Sequence, residues 1–327
     1  MPAGLATYII RRLLVIPLIL LVVSFITFAL GRFGPSDYVE IQAGPRANPE
    51  TIERIREERG LNDPVYEQYV RWLMDFLQGD FGTSVKYRGV PVEDVIMPRL
   101  WVSLQINIVV ILLSWVIALP IGTWAAMRRG TWLDPLSIGL LLVPASIPVL
   151  VATPILQWLL VVQLGLLPAD SWSDAEYFGV KLGVFSKEAI LAIFLLTVPT
   201  LAGIARFMRA QVIEVMDQDF VRTAHAKGLA VNVVVIRHIA RNALLPIVTL
   251  FGFELAALTG GAIIVETLLG IPGMGQFAFE AVQSRDYDSI MAVVMLGSLL
   301  FMLAMLVVDV AYGFIDPRIR LGGGLQQ

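Results

Sequence analysis

The sequence contains no cysteine, which excludes disulfides, thiolate nucleophiles and cysteine-ligated metals. Histidine is almost as scarce. His225 and His238 are the only two, thirteen positions apart across a glycine, a poor start for a metal site or a pH sensor. Charge is thin as well: Asp, Glu, Lys and Arg make up 16% of 327 residues and nearly cancel, 24 basic against 27 acidic. Nucleic acid therefore has no compositional support as a partner. There are four lysines, Lys86, Lys181, Lys187 and Lys227, and none follows a glycine, whereas a phosphate-cradling Walker loop needs Gly-Lys-Ser/Thr. Neither H-E-x-x-H nor G-x-S-x-G occurs, so no catalytic residue, resident metal or resident cofactor is expected.

What the chain has in abundance is apolar sequence, 57% of its residues. A helical crossing of a bilayer takes about 20 mainly apolar residues. Such runs lie near 8–30, 101–127, 133–165, 189–210, 243–266 and 289–314. They predict an all-α polytopic membrane protein with six spans. The third run carries Pro144, Pro148 and Pro154, tolerated in a bilayer where neighbouring helices or cavity water satisfy the freed carbonyls. Ala29-Leu30-Gly31 faintly resembles a signal-peptidase site, but the run Leu13 to Leu30 is long enough to stay as a span. Three regions follow: 1–30 with the first span, 31–100 as a polar helical segment, and 101–327 as a five-span core.

Basic residues in short loops tend to remain cytoplasmic. With a cytoplasmic N-terminus, the inner side receives Arg11, Arg12, Arg128, Arg129, Arg206, Arg209, Arg222, Lys227, Arg237, Arg241, Arg318 and Arg320; the loops 168–188 and 267–288 hold only Lys181, Lys187 and Arg285. Both termini are expected in the cytoplasm and segment 31–100 outside. Within that segment, Pro49-Glu50 with Gly60 and Asp63-Pro64 with Gly79 mark the starts and stops of two helices. A solvated cap on the membrane domain and a docking surface both fit them.

The inner stretch DQDFVRTAHAKGL, residues 217–229, reads as one short helix from a water-soluble protein. Asp219 suits its N-cap and Gly228 the left-handed position after its last turn. Two turns are marginal alone in water, so something holds them. A second helix is expected over 232–241, with Pro246 opening the next span. An ordinary loop packed through Phe220, Val221, Ala224 and Leu229 accounts for the spacing; so does a helix presented to a groove on a cytoplasmic partner.

Polar residues inside spans are costly and mark candidate pathway positions: Gln105, Asn107 and Glu254. Glu254 stands out, since a carboxylate in lipid needs a partner or a cavity. After the fifth run, Pro272 between Gly270 and Gly273 makes a turn, followed by a short helix over 276–283. From the residues alone, an ATP-independent transporter or channel and a membrane-embedded receptor subunit fit the spans equally well.

The inner stretch carries a resemblance that separates these readings. FVRTAHAKGL…RHIARNALLPIV resembles the EAA-type motif of ABC importer permeases, in the variant of the dipeptide, oligopeptide and nickel family. YIIRRLLVIPLILLVVSFITFAL, ERGLNDPVYEQYVRWLMDFLQGDFGTS, MRRGTWLDPLSIGLLLVPASIP, VETLLGIPGMGQFAFEAVQSRDYDSIMAVV and DVAYGFIDPRIR are similar to further segments of that family, so nearly the whole chain is covered. Arg222 and Thr223 stand where the general motif has Glu and Ala, and the gap to Leu245-Pro246 is longer than in sugar permeases; both point to the peptide and nickel branch.

The resemblance implies a type I importer permease in a prokaryotic inner membrane. It would pair with a second, paralogous permease, two ATP-binding subunits that hold ATP and Mg, and an external substrate-binding protein. Asp219, Arg222, Thr223, Ala224, His225, Ala226, Lys227 and Gly228 would form the coupling helix, with Ala224 allowing close approach to the ATPase. Pro272, Gly273, Met274 and Gly275 would belong to an external gate segment over 267–288. Peptides are the implied cargo, with nickel chelates and oligosaccharides as alternatives.

Overall fold

The computed structural model describes residues 3–33, 39, 48–58, 60–170, 172–177, 179–257 and 262–315. α1 (Ala3–Arg32) is followed by two shorter helices, α2 (Pro49–Glu58) and α3 (Val65–Gln78). A small antiparallel hairpin, β1 (Thr83–Ser84) with β2 (Val90–Pro91), leads into α4 (Val92–Met127). α5 (Leu133–Ala145) and α6 (Val149–Gln157), the latter prolonged by a π-helical turn over Trp158–Gln163, form a bent pair. A second hairpin, β3 (Glu176–Tyr177) with β4 (Val180–Lys181), precedes α7 (Ile190–Met216) and the short α8 (Asp219–Ala226). α9 (Arg241–Ala257), α10 (Ile263–Leu269), α11 (Met274–Ser284) and α12 (Tyr287–Ile315) complete the order.

α1, α4, α7 and α12 are each long and apolar enough to cross a bilayer, and α5 with α6 makes a fifth crossing if the bent pair counts as one. The two helices meet at 83°. Of the three prolines in that run, Pro148 makes the break: it sits extended at the start of α6, has no N–H to give, and disfavours helix at Ile147 before it. Pro144 and Pro154 are absorbed inside the helices. The expected run over 243–266 divides. α9 ends at Ala257 after 17 residues and α10 opens at Ile263, with 258–261 outside the described residues.

The helix expected over 232–241 is not a separate element. Val231–Val233 and a π-helical stretch over Val234–Ala240 run directly into α9, and Pro246 lies inside that helix. It costs one backbone bond, a loss that membrane helices tolerate.

The centre of the fold is the pairing of α4 with α7, flanked by α5 and α9, while α1 packs on α12. Small residues make the central contact possible. Ala118, Ala125 and Ala126 of α4 and Ala202 and Ala205 of α7 are buried, and a Cβ on Gly122 would stand 2.5 Å from the Ala205 carbonyl oxygen. Without water between helices, such close backbone approach supplies the packing. A bidentate ion pair ties α5 to the same centre: Arg209 Nε and Nη2 donate to the buried Asp134 carboxylate at 2.5 and 2.6 Å.

Candidate functional site

α8 is held by its own end chemistry and by one face. Gly228 stands at φ +74°, and two bonds close the helix: Gly228 N–H donates to the His225 carbonyl at 2.9 Å and Leu229 N–H to that of Ala224 at 3.4 Å. This is the paired pattern that a left-handed residue after a helix allows. The start differs from expectation. Gln218 is the cap residue, without a side-chain cap bond, and Asp219 is the first helical residue. Its carboxylate accepts from Arg222 Nη1 at 3.3 Å and still lies where the helix dipole favours an acid.

The two faces of α8 are sharply different. Val221 and Ala224 are buried and cluster with Met208 and Val212 of α7, Val234, Ile239, and Ala243 and Ile247 of α9. Ala224 therefore approaches the chain's own helices and not an outside surface. Arg222, Thr223, His225, Ala226, Lys227 and Gly228 are exposed, and so are Phe220 and Leu229, two apolar residues that the spacing alone would have packed inward.

The in-span polar residues separate in the structure. Gln105 is buried, its Oε1 accepting from Val184 N–H at 3.5 Å, and so fastens α4 to the loop before α7. Asn107 is half-buried in α4. Glu254 is different: Trp115 Nε1 donates to its Oε2 at 2.8 Å, and the residue lines a groove of about 640 Å3 with Pro199, Thr200, Gly203, Arg206 and Phe207 of α7.

On the other side of the molecule the turn with Pro272 is built around a carboxylate that sequence reasoning missed. Glu266, at the end of an apolar run, is buried. Its Oε1 accepts from Ser103 Oγ at 2.8 Å and Ala262 N–H at 3.1 Å, and its Oε2 from Gly275 N–H at 2.7 Å and Gln276 N–H at 3.1 Å. The last two are orphan donors in the first turn of α11, so Glu266 caps that helix from outside it. Ser103 Oγ also accepts from Met274 N–H at 2.8 Å. Gly273 and Gly275 are needed for the approach: a Cβ on Gly273 would overlap both carboxylate oxygens, and one on Gly275 would stand 2.7 Å from Ile263 N. The sequence signal was present, a glutamate shortly before a glycine-rich helix start. Pro272 closes the turn, half-buried, beside the buried Met274.

A second missed pair secures the first hairpin. Asp286, fully buried, caps α12 through Ser289 N–H and accepts from Ser84 Oγ at 2.5 Å and Lys86 N–H at 3.2 Å. Asp288 accepts from Thr83 N–H at 3.2 Å. Beside them Tyr87 donates to Glu280 Oε2 of α11 at 2.7 Å and accepts from Arg99, whose guanidinium also lies 5.2 Å from the Phe277 ring centre.

Residues 118–321 match the family model described as binding-protein-dependent transport system inner membrane component, and residues 5–93 match the N-terminal model of the same membrane components. The chain is 35% identical over 317 residues to the oligopeptide transport system permease protein AppB of Bacillus subtilis, covering 96% of this chain and 99% of that protein. It is 36% identical over 315 residues to a probable peptide ABC transporter permease protein of Sinorhizobium fredii, 96% and 99% covered. A glutathione transport system permease protein of Escherichia coli K12 is 36% identical over 316 residues, 96% and 98% covered.

Proposed function

The chain belongs to the family of inner membrane components of binding-protein-dependent transport systems, and on that premise we propose that it forms half of a translocation pathway for di- and oligopeptides. It is a membrane-embedded transport subunit; ATP is bound with Mg and hydrolysed in partner subunits. A second permease of the same family completes the pathway around a pseudo-two-fold axis, an external binding protein delivers cargo, and six spans place both termini in the cytoplasm. Peptide as cargo rests on the names of the relatives, which are permeases for oligopeptides, peptides and glutathione.

The observation that supports this best is the division of α8 into two faces. Val221 and Ala224 join it to α7 and α9, so a force on α8 is passed to two spans at once, while Phe220, Arg222, His225, Lys227 and Leu229 remain outside for an ATPase cleft. An amphipathic helix lodged in a partner's groove is a recurring mode of recognition. When the two ATPase subunits close on ATP, α8 moves with them and the spans rock from inward-facing to outward-facing. Glu254 and the groove beside it lie on the pathway, and the turn at Pro272–Gly275 with α11 forms the external gate.

The test is the double variant Gly228→Asp with Arg222→Glu in the reconstituted importer. Peptide uptake and its coupling to ATP hydrolysis are expected to be lost while the purified membrane subunit keeps its helical content and elution volume; unchanged uptake would sink the lever. Co-purification of the tagged chain from native membranes, with mass spectrometry of what stays bound, checks the assembly. A chain that comes out alone and moves solute without ATP contradicts it.

A further inference from the structure

α3 has more apolar surface than the fold uses. Around its axis, Trp72, Val65, Phe76, Tyr69, Leu73, Tyr66, Leu77, Val70 and Met74 fall in sequence on one continuous arc of about 200°, with Gln68, Asp75, Arg71, Gln78 and Glu67 on the remainder. One edge of that arc packs on α1: Tyr69 meets Phe25 and Phe28 edge-on, and Trp72 lies against Phe28. The other edge is bare, with Tyr66 68%, Val70 55%, Met74 53% and Leu77 71% exposed. Four neighbours in one stripe at that exposure form a patch, not scattered surface residues.

Where α3 is attached decides what covers the patch. Tyr69 shares a hydrogen bond of 2.8 Å with Ser24 Oγ, and Arg32 Nε donates to Gln68 Oε1 at 2.9 Å. Ser24 is eight residues before Arg32 at the end of α1, which is about 12 Å down the helix axis. Half of a bilayer's hydrocarbon core is about 15 Å, so a contact at Ser24 lies within the depth of the leaflet in which α1 ends. α1 is a peripheral span: Leu14, Leu18, Leu21, Val22, Phe25 and Ile26 are all exposed, and Phe25 of that exposed face is the residue that meets Tyr69 of α3. The aromatic residues Tyr66, Tyr69 and Trp72 are those that settle at the membrane–water boundary.

We propose that α3 is an interfacial helix, lying in the outer leaflet beside α1 with Tyr66, Val70, Met74 and Leu77 in contact with lipid, and its Glu67–Arg71–Gln78 face toward water. The partner is a lipid surface and not another protein. This rests on the reading that α1 spans the membrane. Its consequence for the importer is an anchor: α3 ties the hairpin, and through Asp286 and Asp288 the start of α12, to a fixed level in the bilayer.

The chain has no cysteine, so a single introduced cysteine is the only one this subunit carries, and the importer without it, labelled in parallel, gives the background from the partner subunits. Nitroxide labels are placed at Tyr66, Val70, Met74 and Leu77, at Glu67, Arg71 and Gln78, and at Leu18 on α1 as a lipid reference, in the full importer in nanodiscs. Collision rates with oxygen, which concentrates in lipid, and with a water-soluble nickel chelate are compared. Expected is an oxygen-dominated response at the four stripe positions and Leu18, and a chelate-dominated response at the polar three. Stripe labels open to the chelate would mean a solvated cap, and stripe labels shielded from both reagents would mean a protein partner; either overturns the proposal. A chelate-accessible Leu18 would overturn it too, by removing the spanning reading on which it depends, whereas lipid at Leu18 with water at the stripe defeats the interfacial helix alone.

Discussion

Glu266 accepts four hydrogen bonds and every partner donates to it, so an amide cannot replace the carboxylate: a glutamine would turn its own N–H2 toward N–H groups. Glu266→Gln is expected to cost about 1–3 kcal/mol, the usual range for stranding a buried donor or acceptor, and to lower the thermal midpoint of the solubilised complex. Gly275→Ala should be at least as damaging, since its Cβ meets Ile263 backbone as well as the carboxylate; a midpoint within 1 degree of the parent, roughly the scatter of such a measurement, would contradict the cradle. Tyr87 offers a test by pH. Burial, reinforced by the hydrogen bond to Glu280 and opposed by Arg99, pushes its phenol up to about 12. The folded chain therefore keeps a proton that an unfolded tyrosine, with an ordinary value near 10, releases. The contribution is whole below about pH 10 and is lost as pH rises toward 12. Tyr87→Phe should flatten that part of the stability profile, and an unchanged alkaline slope would argue against the half-buried, hydrogen-bonded hydroxyl.

Helix ends are local chemistry, and the C-terminal ends of α3 and α8 were legible for that reason: Gly79 and Gly228 both stand at positive φ. Which side of α8 turns inward was not legible. Phe220, Val221, Ala224 and Leu229 are all apolar, and only the positions of α7 and α9 decide that Val221 and Ala224 are buried while Phe220 and Leu229 are not. The same limit hid the tie between α5 and α7, because Asp134 and Arg209 are 75 residues apart. Arg209→Ala leaves a buried carboxylate without its partner and is expected to destabilise by about 3 kcal/mol, the lower end for breaking a buried pair from one side. Arg129, whose contact with Asp217 is 3.6 Å long and exposed on both sides, should tolerate the same change almost without effect. Comparable losses from the two variants, measured by thermal unfolding in one detergent, would show that the buried pair has no special weight.

At the scale of the molecule, four of the six apolar runs form helices long enough to cross a bilayer and a fifth forms a bent pair, but hydropathy did not give the breaks: Pro148 makes an 83° corner where Pro144 and Pro154 make none, and the run over 243–266 is shared between α9 and α10. Hydropathy also could not say which faces meet lipid. The bent α5 exposes large apolar side chains, Leu140 and Val143 among them, as a lipid-facing helix does. The open face of α7 is unlike it, presenting Pro199, Gly203, Arg206 and Ala210, with Glu254 of α9 across the groove. Arg206 makes no ion pair among the described residues. Arg206 lies toward the inner end of its span, and we propose that this face turns to water or to the second permease and not to lipid, where a charge is costly. Gly203→Cys distinguishes it from α5, since a side chain there meets no atom within 4 Å. In the assembled importer, cysteine at Gly203 is expected to react with a charged, membrane-impermeant thiol reagent, at a rate that changes when a non-hydrolysable ATP analogue is added. Cysteine at Val143 should stay unreactive in both conditions. Equal silence at the two positions would place Gly203 against lipid or a permanently packed partner, and the groove would then not be the pathway.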